Sequence, residues 1–339
     1  MRAAIIGLGR QGLRHVDAYA ELDGVQVTAV CDLDSARIEE ARKRLPGAKG
    51  YASASDLLRA EKPELLSVVS LAPTHGELVV QAAELGARGI LCEKPITTSL
   101  AEADTMIEAC RRSGTMLAVN HSRRWWEPYQ RMVKLLRDGS LGRLVHLQHV
   151  CGGGRLGGVG SHAFDVLRML VGSDAVVVRA RLDADVEPDP RGPAFRDPGG
   201  VGEIEFASGV RASVNMGKEL GLNPIWDITC TDGMVRIDEV GKRWRIQSRA
   251  REHQALPTHR RYSVPLEVAE WECGSLDMVA LTRAALRELA SGAKPSCSGE
   301  DGRASLELVC AFHASERAGR QPVALPLVGG ERAQRLAIA

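Results

Sequence analysis

The chain has 339 residues and a mass of 36.5 kDa, which at about 100 to 200 residues per domain predicts two domains. Its 44% hydrophobic and 26% charged residues are typical of globular proteins and exclude a disordered or fibrous chain. With 44 basic and 43 acidic residues the net charge is +1, so the chain has no basic field for nucleic acid and no polybasic anchor for an anionic membrane.

The first 120 residues alternate short apolar runs with longer helical patterns. Strands are predicted at Ala3–Ile6, Val25–Val30, Leu65–Leu71, Gly89–Cys92 and Met116–Val119. Helices are predicted at Gln11–Leu22, Ser35–Arg44, His75–Leu85 and Leu100–Ser113. Because these strands are apolar throughout and alternate with helices, they predict βαβ units with right-handed crossovers. Residues 1–120 are therefore expected to form a Rossmann domain, an α/β fold with a doubly wound parallel sheet.

The pattern changes after Asn120, and residues 121–339 are predicted to form an α+β domain. Its predicted strands are Leu144–Cys151, Ala175–Leu182, Gly202–Phe206, Arg211–Met216 and Trp226–Asp238, with a hairpin turn at Ser208-Gly209. Its predicted helices are Arg124–Arg137, Ala163–Val171, Glu267–Ser291 and Glu300–Ala318. Residues 187–200 hold four prolines and three glycines and are predicted to be a loop, of a length that is often functional or mobile.

Two features of the chain argue against a metal centre. The acids in and before that loop, Asp183, Asp185, Glu187 and Asp189, are interpreted as solvated loop residues rather than metal ligands. Eight cysteines are present, but none forms a Cys-x-x-Cys pair, so they lack the pattern of a zinc site or a disulfide frame. We expect buried, reduced thiols and no metal.

The cellular location of the protein is inferred from its apolar runs. The opening run, Ala3–Ile6, is too short for the core of a signal peptide. No later run approaches the roughly 18 apolar residues of a membrane span. A cytoplasmic protein without a membrane partner is therefore expected.

The segment after the first strand reads Gly-x-Gly-x-x-Gly, with glycines at Gly7, Gly9 and Gly12. It opens a predicted helix, and the strand that follows, Val25–Val30, is followed in turn by Asp32, 20 residues beyond Gly12. This context makes the motif a dinucleotide fingerprint. In such a motif the first glycine permits the tight turn, the second lets the backbone approach a pyrophosphate, and the third lets the helix pack closely on the strand.

The same motif predicts which cofactor is bound. The N–H groups at Arg10 and Gln11 begin the helix and are expected to meet the phosphates. Asp32 is expected to accept hydrogen bonds from the adenosine ribose and to repel a 2′-phosphate, so NAD is expected in preference to NADP. Arg37 could soften that preference, and flavin is the main competing cofactor.

A charged pair and a proline, Glu93-Lys94-Pro95, directly follow the strand Gly89–Cys92. In a parallel sheet this is the end at which ligands bind. A partly desolvated lysine there can carry a lowered pKa and act on a substrate hydroxyl. Taken alone, Lys94 would more often be a surface lysine. Together with the fingerprint, Glu-Lys-Pro at this position resembles the signature of the Gfo/Idh/MocA family of NAD(P)-dependent oxidoreductases.

The resemblance extends over nearly the whole chain. Four further segments are similar to family motifs: Ala72-Pro73-Thr74-His75, Val119–Trp125, Gly160–Asp165 and Glu300–Arg303. It implies that Pro73, Thr74, His75, Glu93 and Lys94 contact the cofactor. It also implies a second domain with an open, mainly antiparallel sheet. One face of that sheet would be covered by helices and the other would pair with another subunit in a homodimer or homotetramer.

The resemblance places an active site between the domains, with Lys94 and His162 in the proton chemistry. Asp165, one helical turn after His162, would orient the imidazole or hold a substrate hydroxyl. Arg123 and Trp125 resemble a pocket rim that binds a sugar. The alternative for this rim is that one tryptophan of Trp125-Trp126 lies in the core and both neighbouring arginines are solvated.

One departure from the family pattern concerns the residue four positions before His162. Many members carry an aspartate there, and this chain has Gly158. His149, Tyr129 or Asp165 could stand in for the missing carboxylate, and the sequence does not choose among them.

The function expected from these motifs is that of an NAD-dependent dehydrogenase. Its substrate would be a polyhydroxylated small molecule, with oxidation of a secondary hydroxyl of a sugar, sugar derivative or cyclitol, or reduction of the matching ketone. Two alternatives stay open at this point: an NAD-dependent glycosidase that uses a transient oxidation, and a non-catalytic sensor of dinucleotide or sugar, which the absence of an acid at Gly158 favours.

Overall fold

The computed structural model describes residues 1–186 and 188–339. They form two compact units. The first comprises Met1–Trp126, Asp277–Glu307 and Gly329–Ala339, and the second comprises Glu127–Leu276 and Leu308–Val328. The first unit therefore includes two segments from the last quarter of the chain as well as the predicted Rossmann region.

The first unit is built on a six-stranded sheet in which every pairing is parallel. Its strands are β1 (Arg2–Ile6), β2 (Gln26–Cys31), β3 (Lys49–Tyr51), β4 (Leu65–Val68), β5 (Gly89–Cys92) and β6 (Met116–Val119). Its strand order is β3-β2-β1-β4-β5-β6. The helices between them are α1 (Arg10–Ala20), α2 (Ser35–Arg44), α3 (Ala54–Glu61), α4 (His75–Glu84) and α5 (Leu100–Ser113). This order confirms the predicted doubly wound Rossmann topology.

Local signals fix the ends of these helices. Asp34, Ser53 and Ser99 cap α2, α3 and α5, because each side chain accepts a hydrogen bond from a backbone N–H of the first turn. Helix α5 ends at Gly114, which has a left-handed conformation that glycine adopts without steric cost. Strands β4 and β5 are fully buried, which explains why their sequences are apolar apart from Ser67.

The second unit begins with α6 (Glu127–Arg137) and contains a nine-stranded sheet. Its strands are β7 (Leu144–Val150), β8 (Ala175–Leu182), β9 (Gly200–Phe206), β10 (Arg211–Asn215), β11 (Ile225–Cys230), β12 (Gly233–Asp238), β13 (Arg243–Ser248), β14 (Glu267–Glu272) and β15 (Val323–Ala324). Its order is β14-β13-β12-β11-β7-β10-β9-β8-β15. Strand β10 pairs with β7 in parallel and with β9 in antiparallel fashion, and the remaining pairs are antiparallel. The predicted mainly antiparallel sheet is confirmed.

The remaining helices are α7 (Ser161–Val171), α8 (Arg251–Gln254), α9 (Thr258–Arg261), α10 (Met278–Ser291), α11 (Gly299–Arg317) and α12 (Gly330–Ala333). A π-helical turn, Leu156–Gly160, leads directly into α7. The predicted hairpin is confirmed, because Arg211 pairs with Glu205 across a turn in which Gly209 has φ +81.

Three predicted elements were wrong in extent. Glu267–Ser291 is not one helix, because β14 occupies its first residues and α10 begins only at Met278, where the Asp277 side chain caps it. Trp226–Asp238 is two antiparallel strands, β11 and β12, rather than one. Arg124–Arg137 is split between a short 3₁₀ helix at Ser122–Trp125 and α6.

Large aromatic side chains fill the core of the second unit. Trp226 is buried, and its ring stacks on His149 at a centroid distance of 3.9 Å. Trp244 is also buried and meets Tyr129 edge-on at 5.0 Å. Trp271 is only partly buried, and the Arg131 guanidinium lies 3.6 Å from its ring centroid.

All eight cysteines are buried and none forms a disulfide. Burial raises the pKa of the Cys31 thiol to about 11 and that of the Cys110 thiol to about 12. Within residues 1–186 and 188–339, no helix is both long enough and apolar enough to cross a membrane.

Candidate functional site

The turn between β1 and α1 shows why two of the fingerprint residues are glycines. Gly7 has φ +94, donates its N–H to the Cys31 carbonyl at 2.8 Å, and would place a Cβ only 2.5 Å from the Val69 carbonyl carbon. A Cβ on Gly12 would lie 2.1 Å from the Gly7 carbonyl oxygen. Glycine at these two positions therefore lets the helix start lie against the strand end.

Gly9 is different, because the protein itself does not require glycine there. Its φ is −64, and a Cβ would meet only Arg37 Nη1, at 3.9 Å. Gly9 also precedes the first turn of α1 without a side-chain cap and with no acidic residue in that turn. Open space beside uncapped N–H groups fits a dinucleotide pyrophosphate, with Arg10 and Gln11 at the positive end of the helix.

Asp32 lies at the end of β2, with a carboxylate fixed by two backbone donors. Its Oδ2 accepts from Leu8 N at 2.7 Å, and its Oδ1 accepts from Asp34 N at 3.0 Å. Arg37 Nη1 lies 3.8 Å from Oδ2, on a side chain that is half exposed. The fingerprint turn thus carries an oriented acceptor suited to ribose hydroxyls, with one cation nearby.

Replacing Asp32 with asparagine is expected to shift the ratio of NAD to NADP affinity about tenfold towards NADP. The reason is that the negative charge repels a 2′-phosphate and engages Arg37, and about 1.4 kcal/mol corresponds to a tenfold change in binding. Titration of the purified variant with both cofactors measures the ratio. Asp34→Asn is the matched control, since Asp34 is exposed and asparagine also caps helices. An unchanged ratio in Asp32→Asn would remove this carboxylate from cofactor selection.

The turn after β4 contains the predicted cofactor contacts Pro73, Thr74 and His75. Thr74 Oγ1 donates to the Leu71 carbonyl at 2.8 Å, which closes the 3₁₀ turn that precedes α4. The buried His75 ring places Nε2 3.0 Å from the Ser70 carbonyl oxygen and Nδ1 3.2 Å from the Pro95 carbonyl oxygen. Burial lowers the pKa of His75. This imidazole joins the turns that follow β4 and β5, a link that the sequence did not predict.

Glu93 begins the turn after β5 and belongs to a buried polar network. Asn120 Nδ2 donates to its Oε1 at 2.7 Å, and His15 Nε2 lies 3.1 Å from the same oxygen. On the other side of the ring, His15 Nδ1 lies 3.0 Å from the hydroxyl of Ser67. His15 therefore supports the turn that begins at Glu93. The assignment of Glu93 to the cofactor stays a prediction.

The ionised form of Glu93 is the one that this network stabilises. Burial alone would raise its pKa, but the hydrogen bond with His15, the nearby Lys94 charge and the Asn120 amide lower the pKa to about 2, well below the usual range of a glutamate. A group with a depressed folded-state pKa adds stability above its unfolded-state pKa and loses it as the pH falls towards the folded value.

The free energy of unfolding is therefore expected to fall between about pH 4.5 and pH 2 through Glu93. Glu93→Gln should lose about 2 kcal/mol near neutral pH, because a charged hydrogen-bond acceptor is removed from a buried site, and should show a weaker acid dependence. Urea unfolding at several pH values measures both. Glu84→Gln, at an exposed position at the end of α4, serves as the control. The same pH slope in Glu93→Gln and the wild type would contradict the assignment.

Lys94 follows Glu93 and is partly buried at the carboxyl end of β5. Its backbone N–H lies 3.4 Å from Glu93 Oε2, and the Lys94-Pro95 peptide bond is cis. Lysine at this sheet edge lies in the same unit as the fingerprint and Asp32, where ligands of doubly wound folds bind.

The predicted rim residues also belong to the first unit. Arg123 is partly buried and Trp125 is 7% exposed, in the 3₁₀ helix Ser122–Trp125. Arg124 Nη2 lies 3.1 Å from Asp301 Oδ1, and its side chain is 12% exposed. Trp126 is buried as well. Arg124 is thus an ion-paired residue rather than a solvated one, and both tryptophans are largely covered.

In the second unit, His162 lies in the first turn of α7 and is partly buried, while Asp165 is fully buried one turn later. The preceding turn contains Gly158. A carboxylate that sequence reasoning missed reaches this turn: Asp197 accepts from Gly157 N and from Gly158 N, each at 2.7 Å. No motif surrounds Asp197, and nothing in the sequence pointed to it.

The acids that were weighed as metal ligands have protein partners. Asp183 Oδ2 accepts from Lys218 N at 2.8 Å, and Asp185 Oδ2 accepts from Lys218 Nζ at 2.5 Å. Asp189 Oδ2 lies 3.8 Å from Arg155 Nη1. Glu187 lies outside the described residues. Among the residues that the structure describes, no group of three or more His, Cys, Asp or Glu side chains is arranged to hold a metal ion.

A unit that fits a dinucleotide, joined in one chain to a second unit on an antiparallel sheet, is the arrangement of a class of NAD-binding oxidoreductases. Family models place the chain within this class. The model described as "Oxidoreductase family, NAD-binding Rossmann fold" matches residues 1–121, and that described as "Oxidoreductase family, C-terminal alpha/beta domain" matches residues 132–325. The chain therefore belongs to the Gfo/Idh/MocA oxidoreductase family, which confirms the predicted family, enzyme class and cofactor.

Individual relatives agree with this assignment. The chain is 27% identical to a D-apiose dehydrogenase of Paraburkholderia graminis, over 94% of this chain and 88% of the relative. It is 28% identical to an inositol 2-dehydrogenase of an Arthrobacter species, over 70% of this chain and 73% of the relative.

Two solved structures share the fold. A levoglucosan dehydrogenase in complex with NADH and levoglucosan matches with a TM-score of 0.81 at 19% identity, covering 96% of this chain and 100% of that one. An oxidoreductase from Agrobacterium radiobacter in complex with NAD+, L-tartaric acid and magnesium matches with a TM-score of 0.79 at 20% identity, covering 96% of this chain and 98% of that one.

Proposed function

We propose that the protein is an NAD-dependent dehydrogenase that oxidises a secondary hydroxyl of a sugar, sugar derivative or cyclitol, or reduces the matching ketone. The observation that carries the proposal is Lys94, partly buried at the ligand-binding edge of a sheet whose fingerprint turn fits NAD. The names of two relatives, a D-apiose dehydrogenase and an inositol 2-dehydrogenase, support the substrate class.

The proposed chemistry divides among residues of both units. NAD, when bound, supplies a hydride acceptor in its nicotinamide ring. Gly9 and the first N–H groups of α1 hold the pyrophosphate, and Asp32 accepts from the ribose. Either Lys94 Nζ or a ring nitrogen of His162 takes the proton of the substrate hydroxyl, since lysine amines and imidazoles both serve as general bases in enzymes.

In this proposal residues 1–120 bind the cofactor and residues 121–339 bind the substrate, with Arg123, Trp125 and Asp165 as candidate substrate contacts.

We also propose a cytoplasmic homodimer or homotetramer. The exposed side chains of β8 include Arg179 and Arg181, and those of the neighbouring β9 include Glu203, which lies opposite Arg179, and Glu205. Opposite charges on one sheet surface favour pairing with a second copy.

The proposal is tested by mixing purified protein with NAD and a panel of sugars, sugar acids and inositols while the nicotinamide absorbance is followed. A rise with one class of polyol, absent without enzyme, is the expected result. Bound NAD with no rise for any polyol, and no fall of NADH with the matching ketones, would overturn it. Release of an aglycone from a glycoside without accumulation of NADH would instead identify a glycosidase.

A further inference from the structure

The residue four positions before His162 is a glycine that its backbone does not require. Gly158 lies in the π-helical turn Leu156–Gly160, and its φ is not positive. A side chain there would not be strained by the backbone. It would instead meet other side chains, because a Cβ on Gly158 would lie 3.2 Å from Asp197 Oδ2 and 3.7 Å from Arg191 Nη1.

Asp197 is held firmly at this position. It comes from the segment between β8 and β9, is 2% exposed, and accepts from Gly157 N with Oδ1 and from Gly158 N with Oδ2. Burial raises the pKa of Asp197, against the opposing effect of these two hydrogen bonds and of Arg155. Two backbone N–H groups and nearby guanidinium groups are the partners that a buried carboxylate needs.

A second acid of the same loop, Asp189, contacts the two arginines near the Gly158 turn. Asp189 Oδ1 accepts from Arg191 N at 2.8 Å, and Asp189 Oδ2 lies 3.8 Å from Arg155 Nη1 and 3.9 Å from Arg191 Nη1. The charged groups around the Gly158 turn include Arg155, Arg191, Asp189 and Asp197, and Asp165 is a buried acid on α7 itself. Asp197 hydrogen-bonds the turn that leads to His162.

We propose that Asp197 supplies, from the loop before β9, the carboxylate that the family motif would place on residue 158, and that it acts as a positioning residue for His162. Residues 158 and 162 are four apart, on the π-helical turn and on the first turn of α7 that continues it, so a carboxylate at the Gly158 side-chain position lies one turn before His162. An aspartate at 158 would bring a second carboxylate against Asp197, whereas glycine at 158 leaves room for the Asp197 side chain. The role assigned to Asp197 rests on the proposed dehydrogenase function.

The test compares Asp197→Asn, Gly158→Asp and the double variant G158D/D197N with the wild type. Asp185→Asn, an exposed carboxylate of the same loop, is the control. Two readouts are used: the imidazole pKa of His162, from ring NMR signals assigned by their loss in His162→Asn, and the pH profile of turnover with a polyol from the panel. The affinity for NAD is measured alongside.

The carboxylate favours the protonated imidazole, so Asp197→Asn should lower the His162 pKa by about one unit and reduce kcat about tenfold or more, with NAD affinity unchanged. Gly158→Asp alone should lower the melting temperature, because two carboxylates then meet. The double variant should regain most of the wild-type pKa and turnover. An unchanged His162 pKa in folded Asp197→Asn would overturn the proposal.

Two further outcomes are decided by the same variants. Should Asp197→Asn fail to fold, recovery of folding in G158D/D197N supports the shared position and failure to recover overturns it. Should the wild type turn over none of the polyols, the dehydrogenase proposal fails, and the imidazole titration still decides whether Asp197 acts on His162.

Discussion

Replacing Lys94 with methionine is expected to reduce kcat by about 10² to 10⁴-fold while NAD still binds. Methionine keeps an unbranched apolar stem of similar reach but has no proton to exchange. The fingerprint turn and Asp32, which are separate from Lys94 in sequence, retain their own contacts. Steady-state turnover with a substrate found in the polyol panel, together with an NAD titration, measures the two effects separately.

The matched control for this change is Lys294→Met. Lys294 is exposed, lies in the same unit and also precedes a proline, so its substitution should leave kcat and NAD affinity unchanged. Full turnover in Lys94→Met would remove Lys94 from the mechanism. A loss of NAD binding as large as the loss of turnover would show that its role is cofactor binding rather than proton transfer.

The second large effect concerns two glycines of one motif that are expected to behave differently. Gly12→Ala should cost about 3 kcal/mol of stability, because the new Cβ would lie 2.1 Å from the Gly7 carbonyl oxygen and would separate α1 from the strand end. Gly9→Ala should change stability by less than about 1 kcal/mol, since its Cβ meets only Arg37 Nη1 at 3.9 Å. It should nevertheless weaken NAD binding about tenfold or more, because the methyl group occupies the approach of the pyrophosphate.

Urea unfolding without cofactor and calorimetric titration with NAD separate the two effects. Gly221→Ala is the control, because a Cβ there meets nothing within 4 Å and the residue lies in the other unit. Equal losses of stability in Gly9→Ala and Gly12→Ala would contradict the division of roles. Unchanged NAD affinity in Gly9→Ala would show that the pyrophosphate does not approach this backbone.

The parallel sheet could be predicted from sequence because strands that are buried on both faces have mostly apolar residues. Strands β4 and β5 are apolar apart from Ser67, and residues such as Ser99 and Gly114 mark helix ends. The sequence of strand β14 has no such apolar run. Most of its side chains are exposed, so the segment has neither an apolar run nor an alternation that would distinguish it from the helix that follows. The Asp277 cap was the available signal for that boundary.

The candidate site was predictable to the extent that its residues are local in sequence. Gly7, Gly9, Gly12 and Asp32 follow one another across a single βαβ unit, so spacing alone located them. The contact between Gly158 and Asp197 joins residues that are 39 apart in the sequence. Helix α7, strand β8 and a proline-rich loop lie between them, so no periodicity or spacing connects the two residues. The network of Glu93 with Asn120 likewise depends on strands β5 and β6 ending side by side, which only the strand order reveals.

The burial of every cysteine provides an internal reporter of unfolding. Four thiols, Cys31, Cys92, Cys110 and Cys297, lie in the first unit, and four, Cys151, Cys230, Cys273 and Cys310, lie in the second. A covered thiol with a raised pKa reacts with an alkylating reagent only when its surroundings open. Timed alkylation read by peptide mass spectrometry would therefore give the opening free energy of each unit separately in one sample. Saturation with NAD would slow labelling of whichever unit the cofactor holds closed.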